Sequence, residues 1–275
     1  MEAAVLTAAL TGPVASKADN PALPTTPDEI AGSAAGAYAA GAAVAHVHLR
    51  DERGRPTASL ATAERTVAAI QERCPILVQL STGVGPGVSF ADRERLVEAR
   101  PRMASLNPCS MRFGPFEFSN PPDDVRRLAY RMGELDVKPE LEIYDTGHLD
   151  AALQLHAEDL LAEPLQFSIV MGVLGGMRAD PRDLLTMVDR LPPGAVWQVV
   201  AIGRMNRVLT TIGLALGGNG RTGMEDTLKV RRGVLASTNA ELVEVLATAA
   251  RGLDRDVAGV ADAARRLALP TQAAA

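Results

Sequence analysis

A chain of 275 residues, 47% of them hydrophobic, is long enough to bury a large core and is not an intrinsically disordered sequence. Its net charge of −5 gives no support for binding to nucleic acids or to anionic membranes. The two cysteines are isolated, the N-terminus lacks the basic segment of a signal peptide, and no apolar run is long enough for a membrane helix, so we expect a cytoplasmic protein without disulfides.

The first segments of the chain follow a strand–helix–strand pattern. The apolar run of residues 3–10 predicts a buried strand followed by a turn. A helix should begin after Thr26, which can act as the N-cap with Glu29 completing a capping box, and it should run to Gly41. The strand that follows contains His46 and should be parallel to the first strand.

The same alternation continues along the rest of the chain. Further strands are predicted over residues 76–83, 103–107, 139–144, 165–172, 196–203 and 217–225. Further helices are predicted over residues 61–73, 92–99, 122–135, 149–161, 181–191 and 207–215. Two C-terminal helices should cover about residues 240–250, with Asn239 as the N-cap, and residues 258–269, before a short frayed tail at residues 270–275.

These predicted strands and helices favour a single α/β domain over residues 1–275 with the architecture of a (β/α)8 TIM barrel. A chain of about 250 residues is typical of that fold, and no change in composition divides this one. A doubly wound open sheet is the alternative. The turn after the first strand, however, lacks the glycines of a dinucleotide-binding loop.

His46 and His48 indicate a metal site, because side chains two residues apart on a strand share one face. Two neighbouring imidazoles can bind one divalent metal, and their neutral nitrogens suit zinc. The alternative is a pair of core histidines with backbone partners. Without a metal, however, two inward-facing histidines would bury donors and acceptors that need partners.

Other polar residues follow the strand ends, where the active site of a TIM barrel lies. They are Ser81, Thr82, Ser105, Asn107, Glu140, Glu142, Asp145, Arg204, Arg221, Glu225 and Asp226. Barrel closure places the eighth strand beside the first, so Glu225 can complete a site of two histidines and one carboxylate that keeps a position open for substrate. The acidic pair could instead be a solvated helix start, but its place opposite the histidines favours a functional role.

Several motifs occur in a fixed order over nearly the whole chain. They are residues 6–12, 26–29, 41–42, His46-Val47-His48-Leu49-Arg50, Gln79-Leu80-Ser81-Thr82-Gly83, residues 103–107, 139–142, 171–176 and 201–204, Gly220-Arg221-Thr222-Gly223-Met224-Glu225-Asp226, and residues 237–243. In these motifs the chain resembles the β-keto acid cleavage enzymes.

This resemblance implies a zinc-binding barrel that usually forms a homotetramer, with one Zn²⁺ on His46, His48 and Glu225. It implies Asp226 as the base. It implies that Arg221 and Ser81 support this base. It also implies that Ser105 and Asn107 bind the substrate. We add Thr82 to the substrate-binding group because it shares the strand end with Ser81.

The reaction implied by the resemblance is a Claisen-type exchange in which a β-keto acid and acetyl-CoA give acetoacetate and a new acyl-CoA. Zinc would act as a Lewis acid on the keto acid, and Asp226 would remove the C2 proton. The carbanion would attack the thioester, and the released CoA thiolate would attack the original ketone carbon. Two alternatives stay open: a metal-dependent hydrolase barrel, for which His148 could be a further histidine, and a non-catalytic metal-binding scaffold.

Two positions depart from the pattern of family members that act on an amino-substituted keto acid. Val14 stands where such members carry a glutamate, and Val84 stands where they carry a second glycine. Val14 should lie at the mouth of the first strand and cannot pair with an ammonium group, so we expect a substrate with an uncharged distal group. Glu142 or Asp145 could instead supply the missing negative charge.

Overall fold

In the computed structural model, which describes residues 1–85 and 87–269, eight parallel strands form a closed barrel. We number them β1 to β8 in chain order: Leu6–Thr11, Val44–Val47, Leu77–Leu80, Met103–Leu106, Lys138–Ile143, Gln166–Met171, Val196–Ala201 and Asn219–Thr222. Each strand pairs with its neighbours in the chain, and β8 closes the barrel against β1 with Arg221 opposite Thr7. The predicted TIM barrel is confirmed. The predicted frayed tail at residues 270–275 lies outside the described residues.

Helices lie between consecutive strands and after β8. They are α1 Pro27–Ala39, α2 Leu60–Gln71, α3 Phe90–Glu94, α4 Pro122–Glu134, α5 Thr146–Ala157, α6 Pro181–Arg190, α7 Asn206–Ala215, α8 Asn239–Arg251 and α9 Val260–Arg266. A short 3₁₀ turn at Arg95–Ala99 follows α3, and another at Gly203–Met205 precedes α7. No helix in the described part of the chain is long and apolar enough to cross a membrane.

The predicted start of α1 is confirmed in detail. The Thr26 hydroxyl accepts a hydrogen bond from the Glu29 amide at 3.2 Å, and the Glu29 carboxylate accepts one from the Thr26 amide at 3.1 Å. These two bonds satisfy backbone donors that the first turn of a helix leaves unpaired.

The predicted N-cap of α8 is wrong by one residue. Thr238 is the cap, and its hydroxyl accepts from the Glu241 amide at 3.1 Å. The Asn239 side chain instead donates to the Leu10 carbonyl at 2.9 Å and accepts from the Met224 amide at 2.8 Å. Asn239 therefore joins the end of β1 to the loop after β8, a role that depends on tertiary packing.

Two β-hairpins that the sequence did not indicate extend from the barrel. The first hairpin pairs Met111–Phe113 with Phe116–Phe118 after β4, and the second pairs Lys229–Arg231 with Val234–Leu235 after β8. Both follow the carboxyl ends of barrel strands. The first hairpin therefore lies at the face of the barrel where a TIM barrel carries its active site.

Aliphatic side chains fill the space between helices and strands. Around β1 to β3, for example, Ile30 of α1 and Ile70 of α2 pack in one cluster with Val47. Burial of such side chains contributes roughly 1.5–3 kcal/mol each to folding. The inside of the barrel is more polar, and there the fully buried Glu140 carboxylate accepts hydrogen bonds from Gln166, Ser168 and Gln198.

Candidate active site

His46, His48 and Glu225 come together at the carboxyl end of the barrel. The Nε2 atoms of the two histidines each lie 3.5 Å from Oε1 of Glu225, and ligand atoms of all three residues lie within 4.8 Å of one another. β2 ends at Val47, so His48 lies one residue beyond the strand. The alternation of side chains along the strand continues to His48, and the rings of both histidines turn inward and contact each other. In the described part of the chain, this trio is the group that could hold a metal ion.

The atoms of the trio fit a metal site. Nε2 of His46 and Oε2 of Glu225 are buried, and neither has a hydrogen-bond partner within residues 1–85 and 87–269. Buried polar atoms without partners are costly, and a cation among them would satisfy them. Two imidazole nitrogens and one carboxylate are a donor set that zinc takes in catalytic sites, where a fourth position stays open.

Two glycines let the chain place Glu225 against the end of β1. A Cβ atom on Gly12 would lie 2.6 Å from Cγ of Glu225, and one on Gly223, whose φ is +150°, would lie 2.1 Å from the Ala9 carbonyl oxygen. The Glu225 amide donates to that same carbonyl at 3.2 Å. Any larger residue at either position would push the carboxylate away from the histidines.

The Arg221 guanidinium links three carboxylates at the end of β8. It is buried and donates to Glu225 Oε1 at 2.5 Å and to the two oxygens of Asp226 at 2.9 and 3.1 Å. Its Nη1 atom lies 3.7 Å from Oε1 of Glu142. The sequence placed these groups at one end of the barrel, but their pairing with Arg221 is visible only in the structure.

The two neighbouring carboxyl groups have pKa values that move in opposite directions. Burial would raise the pKa of Glu225, but the charges of Arg221 and the histidines hold it well below its ordinary value. Burial raises the pKa of Asp226 to about 6, because Arg221 offsets only part of that penalty and the Glu225 charge adds to it. Glu225 therefore stays ionised, as a metal ligand would need to be, while the raised pKa of Asp226 is of the kind that a general base has.

A cavity of about 440 Å³ opens in front of the trio. Seven of the residues that the sequence indicated line it: Val14, His48, Ser81, Asn107, Glu142, Arg221 and Glu225. His46, Thr82, Ser105 and Asp226 are not part of the described lining, and all four are buried. Arg221, which lines the cavity, donates to both oxygens of Asp226 and so holds that carboxylate next to the lining.

Ser81, Thr82 and Ser105 form a small network between β3 and β4. The Ser105 hydroxyl accepts from the Thr82 amide at 3.0 Å, and the Thr82 hydroxyl donates to the Ser105 carbonyl at 2.8 Å. The Ser81 hydroxyl lies 3.5 Å from that of Ser105 and accepts from the Gly83 amide at 3.2 Å. Ser81 therefore presents its side chain to the cavity, and the other two fix its position.

Glu142 and Tyr144 are site residues outside the catalytic set that the sequence indicated, although Glu142 was expected at the strand end as an alternative acid. Both line the cavity, and Oε2 of Glu142 accepts from Asn107 at 2.8 Å and from the Tyr144 hydroxyl at 3.3 Å. Burial and the Glu142 charge raise the pKa of Tyr144 well above its ordinary value, so it stays a hydrogen-bond donor. The signal that could have found them is the two-residue alternation along β5 from Glu140.

The first hairpin forms an apolar wall of the cavity through Phe113, Phe116 and Phe118. Phe113 packs with its ring 6.2 Å from Tyr144 and 6.4 Å from Phe118, and it also lines the cavity. Arg93 holds this wall by donating to the Thr82 and Ser119 carbonyls and stacking on Phe118.

His148, the residue that kept a hydrolase barrel open, lies outside the metal-ligand trio. It sits in the first turn of α5 with its ring 5.5 Å from Tyr144. The Asp145 side chain, which caps this helix, accepts from the Gly147 and His148 amides. The helix begins three residues earlier than predicted because of that cap.

The barrel is similar to solved structures of ObcA. The apo structure of ObcA superposes with a TM-score of 0.81 at 23% identity, over 90% of this chain and 66% of that one. This chain thus spans about two thirds of the length of ObcA. At this level of identity the likeness concerns the fold alone.

Two curated relatives match over almost their full length. The 3-keto-5-aminohexanoate cleavage enzyme of Fusobacterium nucleatum subsp. nucleatum is 35% identical over 271 residues, which are 98% of this chain and 99% of that protein. The 3-oxoadipate:acetyl-CoA acetyltransferase of Cupriavidus necator is 36% identical over 273 residues, 97% of this chain and 95% of that protein. The family model for beta-keto acid cleavage enzymes matches residues 3–269, and the chain therefore belongs to the β-keto acid cleavage enzyme family.

Proposed function

We propose that this protein is a zinc-dependent acyltransferase that converts a β-keto acid and acetyl-CoA into acetoacetate and a new acyl-CoA. The observation that carries the proposal is the trio of His46, His48 and Glu225 at a cavity that also contains Arg221. The two relatives support it, because each is named for the cleavage of a β-keto acid or for transfer from acetyl-CoA. Consumption of a β-keto acid by the purified protein only when acetyl-CoA is present tests it.

The trio would hold one Zn²⁺ per chain. Bound zinc would supply a Lewis acid that polarises the keto oxygen of the substrate and makes its enolate less costly. Ser81 and Asn107 would hold the substrate from the cavity surface, and Thr82 and Ser105 would complete the substrate-binding wall around them.

Asp226 would accept the proton from C2 of the keto acid, with Arg221 keeping its carboxylate oriented through two hydrogen bonds. The C2 carbanion then attacks the acetyl thioester and expels the CoA thiolate. The thiolate adds to the original C3 carbonyl, and the C2–C3 bond breaks to release the acyl-CoA. The remaining acetoacetate enolate takes the proton back, so the exchange needs no oxidant, reductant or water.

The distal end of the substrate would be uncharged, as an alkyl or hydroxylated group. Val14 is 78% exposed and lines the mouth of the cavity, together with the phenylalanine wall of the first hairpin. The two relatives act on distal groups of different charge at nearly the same identity, so identity does not decide this point. Val84, the second departure, is 2% exposed and packs in the core away from the cavity lining.

Both acids that could replace the missing glutamate already have partners within the protein. The Glu142 carboxylate already accepts from Asn107 and Tyr144 and lies near Arg221. The Asp145 carboxylate caps α5. An ammonium group that is desolvated against Val14 would gain no partner from the valine side chain.

We therefore expect a higher kcat/KM for 3-oxohexanoate than for its 5-amino analogue, by about tenfold or more, since each 1.4 kcal/mol of lost solvation is a factor of ten. A Val14→Glu variant should gain on the amine and lose on 3-oxohexanoate. Val14→Gln is the matched control, because it has the size of glutamate without the charge. A wild-type preference for the amine, or equal behaviour of the two variants, would contradict this substrate class.

We also propose a cytoplasmic homotetramer. The family resemblance supports the tetramer, and the two cysteines, Cys74 and Cys109, which are free in the structure, support a reducing compartment.

A further inference from the structure

Gln79 of β3 makes a close contact with one metal ligand of the proposed site. It lies in register with His46 of β2, and both side chains are fully buried. Its Oε1 atom is 2.6 Å from Nδ1 of His46. The other ring nitrogen of His46, Nε2, faces Glu225 at 3.5 Å.

This contact determines which ring nitrogen carries the proton. An amide oxygen can only accept a hydrogen bond, so Nδ1 of His46 must be the donor. A neutral imidazole that is protonated on Nδ1 keeps its lone pair on Nε2. Nε2 is the nitrogen that points towards Glu225 and His48.

We infer that Gln79 is a positioning residue of the metal centre, which fixes the tautomer and the ring orientation of His46. The inference rests on the proposed function in one respect, namely that His46 is a metal ligand. Metal-binding histidines commonly donate their second N–H to an acceptor of the protein, and this partner influences metal affinity.

The amide nitrogen of Gln79 makes no hydrogen bond that would tie this glutamine to a separate structural network. Nε2 of Gln79 is buried and has no hydrogen-bond partner within the described ranges of the chain. The amide nitrogens of Gln166 and Gln198, two other glutamines inside the barrel, both donate to Glu140. A buried unpaired N–H is unfavourable for folding, and the hydrogen bond with His46 is the one that the Gln79 side chain makes among the described residues.

The two histidine ligands are held differently. Nδ1 of His48 is buried and has no hydrogen-bond partner among residues 1–85 and 87–269. The positioning hydrogen bond is therefore on His46, and a substitution at Gln79 acts on one ligand while the other is unchanged.

Zinc dissociation constants, measured by competition with a chromogenic chelator, test this inference. Gln79→Leu should weaken zinc binding by about 10- to 100-fold. Gln79→Glu, which keeps an acceptor at the same place, should bind zinc nearly as the wild type does. Gln166→Leu removes a buried barrel amide that does not contact the trio, and it should leave zinc affinity unchanged.

A second measurement does not need the metal. The chain has four histidines, so nitrogen-15 spectra of the metal-free protein can be assigned with a His46→Ala variant. At a pH at which its imidazole is neutral, wild-type His46 should carry its proton on Nδ1. In Gln79→Leu the Nε2-protonated tautomer should appear as well.

The outcomes separate the inference from the proposed function. If the wild-type chain binds no zinc, the proposed metal centre is wrong, and the inference about Gln79 is wrong as well. If wild-type and Gln79→Leu proteins bind zinc equally, or if Gln166→Leu weakens binding as much, only the role of Gln79 is wrong. A proton on Nε2 of His46 in the metal-free wild type would also overturn it.

Discussion

A His48→Ala variant is expected to lose both its metal and its exchange activity. His48 is one of the three proposed ligands, and its removal leaves His46 and Glu225, fewer than the protein ligands of catalytic zinc sites. Loss of the Lewis acid should cost several kcal/mol in the transition state, which is a factor of about 10³ or more in rate. Elemental analysis should show about one zinc per wild-type chain and almost none in the variant.

His156→Ala is the control for the loss of a histidine. His156 lies on α5, where its Nε2 atom is 3.3 Å from an exposed carboxylate of Glu163, outside the trio. Metal content and rate should be those of the wild type. A His48→Ala protein that keeps stoichiometric metal and full activity would show that the assigned ligands are wrong.

An Asp226→Asn variant is expected to keep the metal and lose turnover. Asparagine has the shape of aspartate and can still accept a hydrogen bond from Arg221, but it cannot take up the C2 proton. A general base contributes a factor of about 10² to 10⁴, and kcat should fall by this amount. Exchange of the C2 protons of the keto acid in D₂O, without acetyl-CoA, isolates the step and should be lost as well.

Glu142→Gln is the comparison that decides between the two acids next to the cavity. Glu142 lines the cavity, whereas Glu140 lies beneath it with its carboxylate engaged by Gln166, Ser168 and Gln198. If Asp226→Asn turns over at a near-normal rate while Glu142→Gln does not exchange C2 protons, the base is Glu142.

The grouping of His46, His48 and Glu225 could be predicted from the sequence because it depends on two general rules. Strand alternation places His46 and His48 on one face, and barrel closure brings the end of β8, with Glu225, beside β1 and near β2. Both rules follow from the backbone and need no knowledge of side-chain packing. The order of strands and helices along the chain and the two-residue alternation of side chains on a strand were therefore sufficient to predict the fold and the trio.

The remaining features depend on contacts that no local pattern encodes. Alternation gives the face of Gln79 and Glu142 but not their partners, which come from neighbouring strands. The first hairpin is only eight residues long, Met111 to Phe118, and lacks a strong strand signal. Asn239 resembles a helix cap in sequence, yet its amide is used to join β1 to the loop after β8.

The measurement that tests the central claim most directly is an exchange assay with purified protein, acetyl-CoA and a panel of β-keto acids that includes 3-oxohexanoate. We predict that acetoacetate and the corresponding acyl-CoA appear in equal amounts, only when both substrates are present, and that a chelator stops the reaction until zinc is added back. Consumption of the keto acid without acetyl-CoA, or no acetoacetate from any member of the panel, would contradict the proposed exchange.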